Sequence, residues 1–208
     1  MRRRSSLLLS TALTTLVVGM AVASAGANRL SVSEQSFTET WASLTLEAAG
    51  STVRCPVTLR GSFASSTIVK VHSMLIARYG EGRVGSCTGG SVTLLTETLP
   101  WHKTFEHFFG RLPRVTGIGQ LIVQYTARIT IEGGISCLMA TTTSEPGALT
   151  ANVNEAGEVT STTLDESVVI DLADVGGFLC DDVAGDVRMS GTGSVVTGAR
   201  APQRIRLI

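Results

Sequence analysis

Two histidines and a glutamate lie close together in the chain, at His102, Glu106 and His107. Imidazole and carboxylate groups bind metals or act as general acids and bases. The segment alternates like a β-strand, however, and an odd separation places the two histidines on opposite faces of a strand. His102 and Glu106 could share a face, but two ligands do not complete a structural zinc site. These three residues and Trp101 are our candidates for contact or chemistry, and we expect no metal, no cofactor and no catalytic residue.

Nucleophilic catalysis needs a serine or cysteine beside an oriented base. Ser62, Ser86 and Ser194 each follow a glycine, but none stands in a G-x-S-x-G pattern between a strand and a helix. We expect the cysteines to be oxidised and therefore unavailable as thiolates. The sequence thus favours a protein that is not an enzyme, and a small secreted hydrolase with His102 or His107 as the base remains an alternative.

Four cysteines, separated by 32, 50 and 43 residues, contain no C-x2-C pair, which disfavours a zinc site. An even number of cysteines in an exported chain predicts two disulfides, and four cysteines allow three connectivities. We favour the pairs Cys55 with Cys87 and Cys137 with Cys180, because each then joins neighbouring strands in one half of the chain.

The N-terminus has the order of a secretory signal peptide: three arginines at 2–4, an apolar stretch at 7–22, and small residues at 23–27. The apolar stretch contains serines and threonines and is short for a membrane span. We therefore expect a cleaved signal at residues 1–27 and a single domain at residues 28–208. The mature protein is then secreted or associated with the cell envelope, with no membrane attachment.

Removal of the three N-terminal arginines changes the balance from 17 basic and 17 acidic residues to 14 and 17, a net charge of −3. This negative charge, and the lack of a basic strand face bearing aromatic residues, excludes nucleic acid as an expected partner. Acidic residues concentrate in the segment 165–186 around Cys180. The segment lacks the D-x-[DN]-x-[DN]-G pattern, so we interpret it as solvated loop chemistry, with calcium binding as the alternative.

The strongest structural signal is the segment Leu121–Glu132, in which apolar and polar residues alternate. Such a period of two predicts a strand with one buried and one solvated face. Glycines at 117, 119, 133 and 134 bound the segment and predict turns at both ends. The positions that we expect to be buried are Leu121, Val123, Tyr125, Ala127, Ile129 and Ile131.

Similar alternation recurs along the chain, notably at residues 53–63 and 101–109. In the second of these segments, one face carries Trp101, Lys103, Phe105, His107 and Phe109. About ten to twelve short strands with glycine-rich turns, and no convincing long helix, predict an all-β protein. We expect a single-domain antiparallel β-sandwich or barrel-like roll with two disulfides.

Residues 87–102 read Cys-Thr-Gly-Gly-Ser-Val-Thr-Leu-Leu-Thr-Glu-Thr-Leu-Pro-Trp-His. This stretch resembles uncharacterised exported β-rich proteins of actinobacteria. The resemblance implies export and a β fold, and it assigns no activity and no functional residue.

Taken together, these features predict an exported, disulfide-stabilised module that binds a partner at the cell envelope or outside the cell. The sequence does not identify that partner. A β-barrel carrier of an apolar ligand is a further alternative, since a closed barrel can enclose a cavity. Phe108 and Phe109 lie in the aromatic cluster of the chain, and exposure there would mark a contact site.

Overall fold

The structure is a computed structural model of the chain, and it describes residues 29–48, 51–111, 114–131, 134, 136–167 and 188–208. The expected signal peptide, residues 1–27, lies outside the described residues. The described residues form fourteen strands: β1 (Arg29–Val32), β2 (Ser36–Ala48), β3 (Ser51–Phe63), β4 (Thr67–Val69), β5 (Leu75–Val84), β6 (Gly90–Leu94), β7 (Trp101–Phe109), β8 (Gly117–Val123), β9 (Thr126–Ile131), β10 (Ser136–Ala140), β11 (Gly147–Val153), β12 (Val159–Ser167), β13 (Arg188–Thr197) and β14 (Ile205–Leu207).

Eight of these strands form one closed antiparallel sheet, in the order β11-β12-β13-β2-β3-β5-β7-β8, with β8 paired back to β11. The all-β prediction is confirmed, and the main sheet is a closed barrel, whereas the sandwich, the first of the two architectures predicted, is not shown by the described residues. Both architectures give strands with one buried face, so alternation alone could not distinguish them. Closure pairs both edges of every strand in this sheet.

Two three-stranded sheets accompany the barrel. The sheet β14-β1-β4 adjoins the barrel end at which β3 and β13 end and β12 begins. There, the Val32 N–H donates a hydrogen bond to Ser66 C=O, and the Val159 N–H donates one to Gln203 C=O. The sheet β10-β9-β6 adjoins the opposite end, where β8 runs into β9 and β10 leads into β11. Buried side chains from both sheets, including Leu30 and Ile129, belong to the same hydrophobic core as the barrel interior.

The predicted central strand is two strands. Gln124 has a φ of 67°, a left-handed conformation that interrupts an extended chain, and it separates β8 in the barrel from β9 in the small sheet. Beyond this break, the prediction is confirmed: Tyr125, Ala127, Ile129 and Ile131 are buried. Before it, Val123 is buried as predicted, but Leu121 is half-buried and Ile122, predicted on the solvated face, is buried at 6% exposure.

One of the predicted disulfides is present. Cys55 of β3 is bonded to Cys87, which follows β5, with 4.3 Å between their Cα atoms. Cys55 is buried and Cys87 packs against the core. Cys137 is buried in β10, but its predicted partner Cys180 lies outside the described residues. The structure therefore confirms one pair of the two.

Candidate functional site

Trp101 opens β7 and is fully buried. Its indole Nε1 donates a hydrogen bond to Thr98 Oγ1 at 2.7 Å, and its ring meets Tyr125 edge-on with centroids 4.8 Å apart. The indole ring is therefore packed against another aromatic ring, and its nitrogen has a hydrogen-bond acceptor. Trp101 is an anchor between the barrel and the small sheet that contains β9, and it is not a surface for a partner.

A β-bulge determines where the other candidates of β7 point. The pairing of β7 with β8 shifts register between Phe105 and His107, so Glu106 is the extra residue. Before the bulge, Trp101, Lys103 and Phe105 share one face as predicted, and all three are buried. After it, His107 and Phe109, which were predicted on the same face, are exposed. The bulge thus reverses the alternation, and the single face predicted for residues 101–109 is wrong beyond Phe105.

The exposed end of β7 carries three neighbouring side chains, Glu106, His107 and Phe109, which we call the β7 outer surface. His107 Nδ1 lies 3.4 Å from Glu106 Oε2, and the rings of His107 and Phe109 meet edge-on with centroids 4.4 Å apart. Phe109 is 42% exposed. The arrangement therefore places an apolar ring, an imidazole and a carboxylate side by side on the outside of the barrel.

Two glycines of β8 make room for these rings. A Cβ atom at Gly119 would lie 2.7 Å from His107 Cε1, and one at Gly117 would lie 3.1 Å from Phe109 Cδ2. The imidazole and the phenyl ring therefore rest directly on the backbone of β8. This contact holds both rings against the sheet although neither is buried in the core.

His102 lies on the opposite face of β7 from Trp101 and Lys103, which is also the outer face. The bulge thus brings His102 and His107 to the same side of the strand, contrary to the prediction from their odd separation. Five residues of extended chain at about 3.3 Å each still hold them roughly 16 Å apart. Within the described residues, no group of three or more His, Cys, Asp or Glu side chains is placed to hold a metal ion.

A cluster of polar groups that the sequence analysis did not identify lies inside the barrel. Lys103 Nζ of β7 donates a hydrogen bond to Glu39 Oε1 of β2 at 2.6 Å, and the Tyr79 hydroxyl of β5 donates to Glu39 Oε2. Both charged side chains are about 2–3% exposed. Lys103 Nζ also lies 5.3 Å from the Phe37 ring centroid and 5.2 Å from that of Tyr79. The barrel interior therefore contains a desolvated ion pair between aromatic rings.

The surroundings of this cluster change the acidity of its members. Burial lowers the pKa of Lys103, and the neighbouring Glu39 carboxylate opposes that effect. Burial, together with the charge of Glu39, holds the pKa of Tyr79 well above its usual value. In both cases burial disfavours the charged form of the side chain. Phe37, Glu39 and Trp41 occupy every second position of β2, and all three are buried. This spacing is the sequence signal that points the Glu39 carboxylate inward.

The two tyrosines of the chain, Tyr79 and Tyr125, should stay protonated in the folded protein above pH 10. Burial raises the pKa of both, whereas an unfolded tyrosine ionises near pH 10. Their contribution to stability is thus fully present below about pH 10 and is lost as the pH rises further. An alkaline titration followed by phenolate absorbance checks this, with circular dichroism as the folding control. Phenolate formation at about pH 10 without loss of structure would contradict the burial of these phenols.

The acidic segment 165–186 is described only at its start. Asp165 Oδ1 accepts a hydrogen bond from Arg188 Nη2 at 2.6 Å, across the β12–β13 pair. The remaining aspartates of the segment lie outside the described residues, so calcium binding there stays a prediction. The Asp165 carboxylate is used in an ion pair between strands.

Two concave sites stand out in the described part of the chain. One is a groove of about 640 Å³ beside β14, between the segment 114–116 and the hairpin turn 153–157. The other is an apolar cavity of about 30 Å³ lined by residues that include Trp41 and Tyr125. All three histidines of the chain are described, and none of them lines either site. The imidazoles and the concave sites are therefore in different places.

Comparison of the chain with protein-family models, curated proteins and solved structures finds no match. Among the described residues, no helix has the length and apolar character needed to cross a membrane.

Proposed function

We propose that this protein is an exported, non-enzymatic binding module that attaches to the cell envelope through the β7 outer surface. The observation that carries the proposal is the exposed Phe109 ring, which lies beside His107 and Glu106 on the outer face of the barrel. An exposed aromatic ring in this cluster is the feature by which the sequence analysis defined a contact site. The signal-like N-terminus and the Cys55–Cys87 disulfide support export, because disulfides persist in oxidising compartments.

The chemistry of this surface fits a polysaccharide. A sugar ring presents apolar C–H groups on its faces and hydroxyl groups around its rim, so it can stack on Phe109 while it bonds to Glu106 and His107. The adjacent strand continues the polar side of such a site. Asn152 of β11 lies opposite Gly117, and its amide donates hydrogen bonds to Ser161 Oγ and Thr163 Oγ1 at 3.0 and 3.2 Å.

A hydrolase is the second candidate function, and the Glu106–His107 contact is the observation in its favour. A carboxylate beside an imidazole can orient a general base. This pair, however, lies on the outside of a closed barrel, where the surface is convex, whereas catalytic sites are usually concave. A carrier function for an apolar ligand has less support. The apolar cavity lined by Trp41 and Tyr125 has a volume of about 30 Å³, which has room for little more than a water molecule.

The proposed mature protein comprises residues 28–208 as a single domain. We also propose that Cys137 and Cys180 form its second disulfide, since both cysteines remain after signal cleavage and the first pair follows the predicted connectivity. Peptide mapping without reduction tests this pairing. A peptide that contains Cys137 in the free thiol form would contradict it.

Phe109→Ala should weaken binding of the mature protein to purified, insoluble cell-wall polysaccharide by about tenfold or more. Burial of a phenylalanine side chain is worth about 1.5 to 3 kcal/mol, and 1.4 kcal/mol corresponds to tenfold. Co-sedimentation at several protein concentrations measures the change. His107→Ala, tested in parallel, should weaken binding in the same direction.

Val71→Ala is the matched control, because Val71 is 48% exposed and lies in the loop before β5, on the other side of β7. It should bind like the unmodified protein. Equal binding by the Phe109→Ala variant, or no binding by the unmodified protein, would overturn the polysaccharide proposal. Loss of binding only in Val71→Ala would place the contact on the other side of β7.

A further inference from the structure

A second candidate binding site lies along β14, at the barrel end that the sheet β14-β1-β4 adjoins. The groove of about 640 Å³ is lined by residues that include Ile205 and Arg206 of β14, together with Arg114 and Glu155. Its volume is within the usual range of ligand sites, about 300 to 1,000 Å³. The groove adjoins the β7 outer surface, since Thr116 N–H donates to Phe109 C=O at 2.9 Å, but its lining includes none of Glu106, His107 and Phe109.

The backbone beside the groove has hydrogen-bonding capacity that the described residues leave unused. Ile208, which follows β14, and Arg29 of β1 exchange both backbone hydrogen bonds. Backbone direction alternates along a strand, so Ile208 and Arg206 point their N–H and C=O groups towards β1. Ile205 and Leu207 therefore point theirs to the other side. There, Ile205 N–H donates to Gly157 C=O at 2.7 Å, and no further described residue continues the pairing at Leu207. Among the described residues, β14 is therefore the outer strand of its sheet, and Leu207 is the position of its edge that is left unpaired beyond the Ile205–Gly157 bond.

The turn opposite this edge is held in place. Asn154 Oδ1 accepts hydrogen bonds from the backbone N–H groups of Ala156 and Glu158, at 3.0 and 2.9 Å. Gly157 has a φ of 77°, and a Cβ atom at this position would lie 2.8 Å from Ile205 C=O. Glycine thus permits the close approach of the turn to β14. The turn and β14 therefore form fixed parts of the groove wall.

The side chains of the groove favour an anionic ligand. Arg206 is exposed, and Arg114 Nη1 forms an exposed ion pair with Glu155 Oε1 at 3.0 Å. Such an exposed pair is weak and can open to receive another carboxylate. Two guanidinium groups against one carboxylate leave a net positive charge, whereas the proposed mature chain carries −3. Val115, Val153 and Ile205 provide the apolar part of the lining.

We propose that this groove binds an extended peptide segment with acidic side chains, which adds as a strand to the free edge of β14. Main-chain hydrogen bonds to an open edge supply affinity, and pockets for alternate side chains supply selectivity. Here the peptide backbone bonds to Leu207, a carboxylate of the peptide meets Arg206 or Arg114, and an apolar side chain enters the groove. Short, charged edge strands usually resist pairing with another chain. β14 differs from such strands because a groove beside it can receive the side chains of an added peptide.

The experiment uses the mature protein and a blocked pentapeptide in which valine and aspartate alternate. Amide resonances assigned by NMR should shift on titration at Leu207 and at Gly157, and the Leu207 amide should exchange more slowly with solvent. A peptide with N-methyl groups at alternate residues cannot complete the ladder and should bind at least tenfold more weakly. A lysine-for-aspartate peptide should also lose binding.

Arg206→Glu and Arg114→Glu should each weaken binding of the acidic peptide by at least tenfold. Arg60→Glu, an equal charge change at an exposed residue of β3, should leave binding unchanged. Absence of shifts at millimolar peptide would overturn the inference, as would equal binding of the N-methylated peptide. The groove lining includes none of Glu106, His107 and Phe109, so peptide binding and polysaccharide binding are tested with different variants, and failure of one proposal is distinguishable from failure of the other.

Discussion

Replacement of Lys103 with methionine is expected to lower the free energy of unfolding by about 3 to 5 kcal/mol. The substitution leaves the Glu39 carboxylate buried at 2% exposure with the Tyr79 hydroxyl as its remaining donor among the contacts of this cluster. An uncompensated charge in the interior costs several kcal/mol, which is a large part of the stability of a domain. Chemical denaturation of the unmodified protein and the variant, both with the disulfide intact, measures the difference.

The double variant Glu39→Gln with Lys103→Met should recover most of that loss. Glutamine keeps an oxygen acceptor for the Tyr79 hydroxyl, and both charges are removed, which is often neutral or stabilising for a buried pair. Arg60→Met is the matched control, because Arg60 and Glu81 form an exposed ion pair at 3.3 Å. Its effect should be no more than about 1 kcal/mol. If Lys103→Met is as mild as this control, Lys103 and Glu39 are not paired in a desolvated interior.

Part of this cluster was accessible from the sequence. The alternation of residues 101–109 correctly placed Lys103 on the same face as Trp101 and Phe105. Its partner Glu39 is 64 residues away, and Tyr79 is 40 residues from Glu39. Only the pairing of β5 with both β3 and β7, and of β3 with β2, brings the three side chains together. A pattern within one strand shows which residues point inward, but not which strands lie next to it.

The β7 outer surface could not be predicted in its correct orientation. The bulge at Glu106 adds one residue to β7 against β8, and this shift moves His107 and Phe109 to the outside. The amino-acid pattern carries no strong signal for that bulge. The glycines at 117 and 119 were recognised as turn signals, whereas in the structure they lie within β8 and accommodate the two rings. Glu106 and His107 were among the candidates named from the sequence, but the side of the strand on which His107 and Phe109 lie was not predicted.

The fold class was predictable because nearly every strand has one buried side. Closure into a barrel was not, because it depends on the pairing of β8 with β11, between segments whose local patterns would be the same in a sandwich. A second bulge, in β2 between Trp41 and Leu44, lies opposite Pro56 of β3. Proline lacks the N–H group that a regular ladder needs, so the irregularity follows from its chemistry. Such local breaks determine the orientation of the residues after them.

Ile122→Asp should be as damaging as Ile129→Asp, with each lowering the free energy of unfolding by about 4 kcal/mol or more. Both isoleucines are buried, at 6% and 3% exposure, on opposite sides of the break at Gln124. Each substitution removes buried apolar surface and places a carboxylate in the core. Equilibrium denaturation, or the soluble yield of variants too unstable to purify, measures the effect.

The neighbouring positions provide matched controls and decide between one strand and two. Thr130→Asp should change stability by no more than about 1 kcal/mol, because Thr130 is half-buried and its hydroxyl contacts Ser136 near the surface. Leu121→Asp should cost clearly less than Ile122→Asp, since Leu121 is half-buried on the outer side of β8. A single uninterrupted strand requires the reverse order, with Leu121→Asp severe and Ile122→Asp mild. That result would mean that the alternation continues through Gln124, and that β8 and β9 do not belong to separate sheets.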